Sequence, residues 1–113
     1  MTSELIDRAM KDLTSGAHDV YGDRLMEVVL FGSCARGDFK NGSDIDVMIL
    51  VDIPTEGIES EMAKIRPIIH GLDRKYDFEL LFAPIVKSYD EYTYWKDVTP
   101  FYQCIQNEGV RYA

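Results

Sequence analysis

Residues 25–51 read LMEVVLFGSCARGDFKNGSDIDVMILV, and two strands joined by a polar turn are visible in them. Leu25 to Phe31 is apolar and β-branched, stops at Gly32-Ser33, and has the length of a buried strand. Asp38 to Ser43 (DFKNGS) is a run of turn formers. Ile45 to Val51 is a second compact apolar run, entered through the two carboxylates Asp44 and Asp46. A connection this short permits antiparallel pairing of the two strands.

Upstream, from Ser3 to about Tyr21, Leu5, Ile6, Ala9, Met10, Leu13, Ala17 and Val20 recur at three- and four-residue spacing, which predicts an amphipathic helix, with Gly16 as its weak point. Downstream, Gly57 to Lys75 puts Ile58, Met62, Ile65, Ile69 and Leu72 on one helical face, and Pro67 is expected to kink or divide that helix. Phe78 to Ile85 forms a third apolar run after Asp77. Ser88 to Trp95 and Pro100 to Asn107 read as short helices, with Pro100 in a first turn and Gly109 as a stop. A helix between the second and third strands is a crossover, which makes those strands parallel. The end of the first strand and the starts of the other two then share one rim, where Gly32, Ser33, Asp44, Asp46 and Asp77 are expected to converge.

Composition narrows the possible functions. The 113 residues suit one domain spanning 1–113, and 46% apolar with 28% charged residues is the balance of a globular chain. Twelve basic against twenty acidic residues give a net charge of −8, which argues against generic nucleic-acid binding. The longest uncharged apolar stretch, Val28 to Ala35, falls far short of the roughly 18 residues of a membrane span. Without a basic, apolar leader at Met1 to Asp7, a cytoplasmic location is expected. Cys34 and Cys104 are seventy residues apart without ligand spacing, so both are expected to be free thiols.

Chemistry concentrates at the strand entrance. Asp44 and Asp46, two apart on a strand, share one face with Cβ atoms roughly 6 to 7 Å apart. At an effective dielectric near 20 they repel by about 3 kcal/mol. No Lys or Arg adjoins them, and a hard divalent cation, magnesium first, would convert the repulsion into binding. Gly32-Ser33 ends a strand in a turn whose N–H groups and hydroxyl can face an anion unobstructed. Arg36 is open to two roles, contact with phosphate oxygens or pairing with a carboxylate such as Asp38.

Gly32-Ser33, ten intervening residues and Asp44-Ile45-Asp46 resemble the signature of the DNA polymerase β-like nucleotidyltransferase superfamily. The fuller string GSCARGDFKNGSDIDVMIL resembles its minimal nucleotidyltransferase (MNT) branch, and the likeness runs from about Leu25 to Pro84 and, more weakly, through KDVTPFYQCIQNEGV. The resemblance implies an α/β fold, a small mixed β-sheet flanked by α-helices. It implies transfer of a nucleoside monophosphate, AMP from ATP foremost, to an acceptor hydroxyl with release of pyrophosphate. Two magnesium ions would be held by Asp44, Asp46 and a third carboxylate, with Asp77 the choice and Glu79 the alternative. Gly32, Ser33, Arg36 and Ser43 would contact the nucleotide.

Minimal members resemble the antitoxin half of two-gene modules whose other half is a helical HEPN-type ribonuclease toxin. The implied acceptor is a tyrosine of that partner, and a homodimer is the other assembly open to the chain. Six large rings among Tyr89, Tyr92, Tyr94, Trp95, Phe101 and Tyr102 are expected to cover the sheet and, in part, to meet a partner. Two further functions stay open: neutralisation by binding alone, and nucleotidyl transfer to a small molecule such as an aminoglycoside.

Overall fold

Helix α1 occupies Ser3–Tyr21 in the computed structural model, which describes all 113 residues. Thr2 caps it by accepting a hydrogen bond from the Leu5 N–H at 3.1 Å, and Gly22, at φ 54°, ends it. Gly16 has a packing reason: a Cβ there would stand 2.9 Å from Cγ2 of Ile68, so the missing side chain lets α1 approach α3 (Met62–Lys75).

Strand β1 is Leu25–Phe31 and β2 is Asp44–Val51, paired antiparallel with Phe31 opposite Asp46. Between them lies α2, the single turn Ser33–Arg36. Strand β3, Leu81–Ser88, runs parallel to β2, as a crossover through α3 requires. Helices α4 (Tyr89–Trp95) and α5 (Pro100–Glu108) follow, and Gly109 closes α5. The sheet order is β3-β2-β1-β4, where β4 is the two-residue strand Val110–Arg111, antiparallel to β1. The fold is thus a four-stranded mixed sheet with five helices.

Three expectations shift. The fourth strand is too short to carry an alternation pattern. The break in the second long helical stretch falls at Met62, where 3₁₀ turns over Thr55–Glu61 give way to α3, and Pro67 is carried inside α3 on an exposed position. Strand β3 begins three residues later than the apolar run, because Asp77 (φ 53°) and Phe78 (φ 58°) form a left-handed turn. That turn is closed by the Phe78 N–H donating to the Asp73 carbonyl at 2.7 Å.

Alternation along β2 divides the interior. Ile45, Val47, Ile49 and Val51 join Val28 and Leu30 against Met10 and Leu13 of α1 and Ile65 and Leu72 of α3. Met48 and Leu50 face the other way, with Val29, against Tyr92 of α4 and Tyr102 and Ile105 of α5. Asp44 and Asp46 have the parity of Met48 and therefore belong to the α5 face. Strand β3 is a free edge and carries Pro84 in its middle, opposite Val47. No helix is long and apolar enough to cross a membrane.

Candidate active site

The hairpin brings the glycine-serine turn and the acidic pair together. Because Phe31 opposes Asp46, the next residue, Gly32, arrives beside the Asp46 carboxylate. Gly32 has φ 75°, and a Cβ on it would collide with Oδ2 of Asp46. Only glycine satisfies both conditions. The N–H groups of Ala35 and Arg36 both reach the Gly32 carbonyl at 3.1 Å. Those of Ser33 and Cys34, at the start of α2, have no carbonyl within it. Cys34 is buried, its thiol lies 3.6 Å from the Asp44 carbonyl, and burial pushes its pKa up. It pins the turn to β2 as a packed, protonated thiol.

Asp44 is exposed and Asp46 half-buried. Burial raises the Asp46 pKa, the nearby Asp44 charge raises it further, and Arg36 opposes both. The third acid departs from expectation. Asp77 is exposed on the left-handed turn, four residues ahead of β3, and no three acidic, histidine or cysteine side chains are grouped to hold a metal ion. Strand register explains this: the residues flanking Asp44 and Asp46 on β3 are Leu81 and Ala83. Glu79 is exposed too and lines a separate hollow with Met1, Asn41 and Gly42.

Arg36 is paired twice, through Nε with Asp38 at 3.3 Å and through a terminal nitrogen with Glu108 of α5 at 3.2 Å. Ser43 accepts from the Lys40 N–H at 2.9 Å, which makes it a turn residue that sets up the entry to β2. Gly32, Ser33, Arg36 and Asp46 nevertheless line one cavity of about 340 Å³. Its far wall is α5, through Phe101, Cys104, Ile105 and Glu108. Those four have i, i+3, i+4, i+7 spacing, the one-face signal of a helix, and of them only Phe101 is expected from the sequence to cover the sheet or meet a partner.

A model of the nucleotidyltransferase domain matches residues 21–100. The chain belongs to the nucleotidyltransferase family. It is 38% identical over 109 residues, 95% of this chain and 94% of the relative, to "Putative protein adenylyltransferase MJ0141" of Methanocaldococcus jannaschii. A second protein of that organism, "Putative protein adenylyltransferase MJ0604", is 38% identical over 47 residues, covering 42% of this nucleotidyltransferase and 47% of the relative. The crystal structure of a "putative nucleotidyltransferase" from Sulfolobus solfataricus superposes with a TM-score of 0.62 at 20% identity, covering 97% of this chain and 81% of that one, and shows the same fold.

Nucleotidyltransferases use a nucleoside triphosphate and a divalent metal, and the donor set here fits a cation in part. Two like-charged carboxylates on one strand face, one of them partly desolvated, are a site whose mutual repulsion a divalent cation relieves. They form a pair where the resemblance implied a trio.

Proposed function

We propose that this nucleotidyltransferase moves AMP from ATP to a hydroxyl group on another protein, a tyrosine of a HEPN-type toxin partner, and so acts as its antitoxin. The observation that carries the reading is the fit of Gly32 against Asp46, which sets the glycine-serine turn and the Asp46 carboxylate on the wall of one cavity, with Asp44 two residues away on the same strand face. The adenylyl group and the protein acceptor are supported by the names of the Methanocaldococcus relatives, one of which aligns over 94% of its length. An acceptor surface is supported by Tyr94, Trp95 and Val98, which are exposed by 76%, 47% and 66%. A net charge of −8 suits a basic, RNA-cleaving partner.

Asp44 and Asp46 would hold magnesium, which when bound neutralises triphosphate charge and favours ionisation of the attacking hydroxyl. The Ser33 hydroxyl and the free N–H groups at the start of α2 hold the β- and γ-phosphates. The acceptor oxygen forms a bond to the α-phosphorus as the bond to the bridging oxygen breaks, pyrophosphate leaves, and the hydroxyl proton passes to solvent at the open rim beside Asp44. Gly32 keeps the backbone of the turn against the Asp46 carboxylate, so that a triphosphate on the turn would lie beside the acids that would hold the cation.

The test is incubation with labelled ATP, magnesium and the product of the adjacent gene, comparing wild type with an Asp44→Ala, Asp46→Ala double variant. Label on the neighbour with wild type alone supports the proposal. Equal labelling by both proteins, or no labelling while both still neutralise the neighbour, overturns it. One feature favours a second reading, neutralisation by binding alone: apolar Leu81 and Ala83 occupy the positions beside the aspartates.

A further inference from the structure

The cavity beside Asp46 carries more negative than positive charge. Asp46 and Glu108 line it, and Arg36, its one cation, is already paired with Glu108 and Asp38. Even with a cation on Asp46, the pairing of Arg36 with Glu108 and Asp38 leaves no free positive side chain on the wall, so uncharged contacts would add to the affinity of any nucleotide. The α5 wall offers one. Phe101 lines the cavity with 46% of its surface exposed, although it lies directly over the sheet. Its ring is held edge-on to Phe31 (centroids 5.7 Å apart, planes at 86°) and tilted against buried Tyr102 at 5.8 Å. A ring fixed by two aromatic neighbours yet nearly half open is a preorganised stacking surface, because little side-chain entropy remains to be lost. A core residue would be covered. The cavity volume of about 340 Å³ lies within the range of small-molecule sites.

We propose that Phe101 is the platform on which the base of the nucleotide stacks, so that this cleft discriminates nucleoside triphosphates from base-free polyphosphate. The proposal rests on the nucleotidyl-transfer reading and adds to it the residue that recognises the nucleoside end of the substrate. Stacking on a single ring accepts any base, purines more strongly through their larger face.

Calorimetric titration with ATP and with inorganic tripolyphosphate, in calcium to prevent turnover, tests it on wild type and on Phe101→Ala, Phe101→Leu and Phe101→Trp. The leucine variant preserves apolar volume and guards against loss of fold. The expected result is ATP binding weakened about tenfold in the alanine and leucine variants, retained in the tryptophan variant, and tripolyphosphate binding unchanged throughout. ATP affinity unchanged in the leucine variant overturns the proposal, as does a parallel loss of both ligands. Wild-type protein that binds neither ligand overturns the nucleotidyl-transfer reading itself; wild type that binds both while the variants change nothing removes only the platform.

Discussion

Oδ2 of Asp46 occupies the space that a β-carbon on Gly32 would need. The glycine-serine turn and the Asp46 carboxylate are therefore one object, and neither can be altered alone. Gly32→Ala adds a collision to an unfavourable φ, a cost of about 1–3 kcal/mol from the backbone alone. The expected outcome is loss of nucleotide binding with a melting temperature several degrees lower. Combining Gly32→Ala with Asp46→Ala should cost less stability than the two single changes added, and a thermal-denaturation cycle reads that coupling. Strict additivity would contradict the contact.

Asp46 should trade stability for function. Its pKa is raised, by burial first and by Asp44 second, so the folded state holds the proton more tightly than the unfolded chain does. Stability from this group is full at low pH and is lost as pH rises through the raised pKa. In chelator at pH 7, Asp46→Asn is expected to melt at a higher temperature than wild type. Its divalent-cation affinity should drop by at least about 100-fold, beyond the range typical of residues that only support metal ligands. Asp44→Asn, at an exposed site, should lose affinity with a smaller gain in stability. Mn²⁺ titration and melting curves on the same samples check both.

Restoring a third acid at the register position should strengthen the cation site. Leu81 flanks Asp44 on the parallel neighbour strand and is 46% exposed, so Leu81→Asp disturbs little core. Mn²⁺ binding is expected to tighten by about tenfold, since affinity in oxygen-ligand sites rises with ligand charge count. Asp77 sits on the left-handed turn four residues ahead of β3, and Asp77→Asn should leave Mn²⁺ affinity unchanged.

Acid should loosen the seam between α1 and the end of α3. Asp12 accepts hydrogen bonds from Lys75 at 2.8 Å and from the Tyr76 hydroxyl at 2.6 Å, which lower its pKa, while burial and Asp12 together push Tyr76 up to about 12. The Asp12 contribution is complete above the ordinary carboxylate range and disappears as pH falls through its depressed value. Asp12→Asn is expected to cost about 1 kcal/mol at pH 7 and to flatten the acid limb of the stability curve. Denaturant midpoints between pH 2 and pH 7 measure it.

Legibility in the sequence followed the locality of the physics. Helix α1, strand β1 and the pairing sense of all three principal strands could be read because periodicity, turn chemistry and crossover length are local signals. The proximity of Gly32, Ser33 and Asp46 was equally legible, since a short hairpin leaves few ways to join them. Asp77 was misplaced because the run from Phe78 looks like a strand, and nothing in its composition announces two successive left-handed residues. Strand β4 and the Arg36–Glu108 pair depend on contacts across most of the chain, which no window of sequence contains. The α5 wall was hidden differently: its face pattern was present, but whether that face looks onto sheet or cavity depends on where the helix lands.

Pro84, midway along the uncovered edge of the sheet, has a consequence for behaviour at high concentration. Without an amide hydrogen it interrupts the ladder that an incoming chain would need to add itself strand by strand. A chain of this kind can leave Tyr94 and Trp95 open to solvent and still resist fibril growth along its flank.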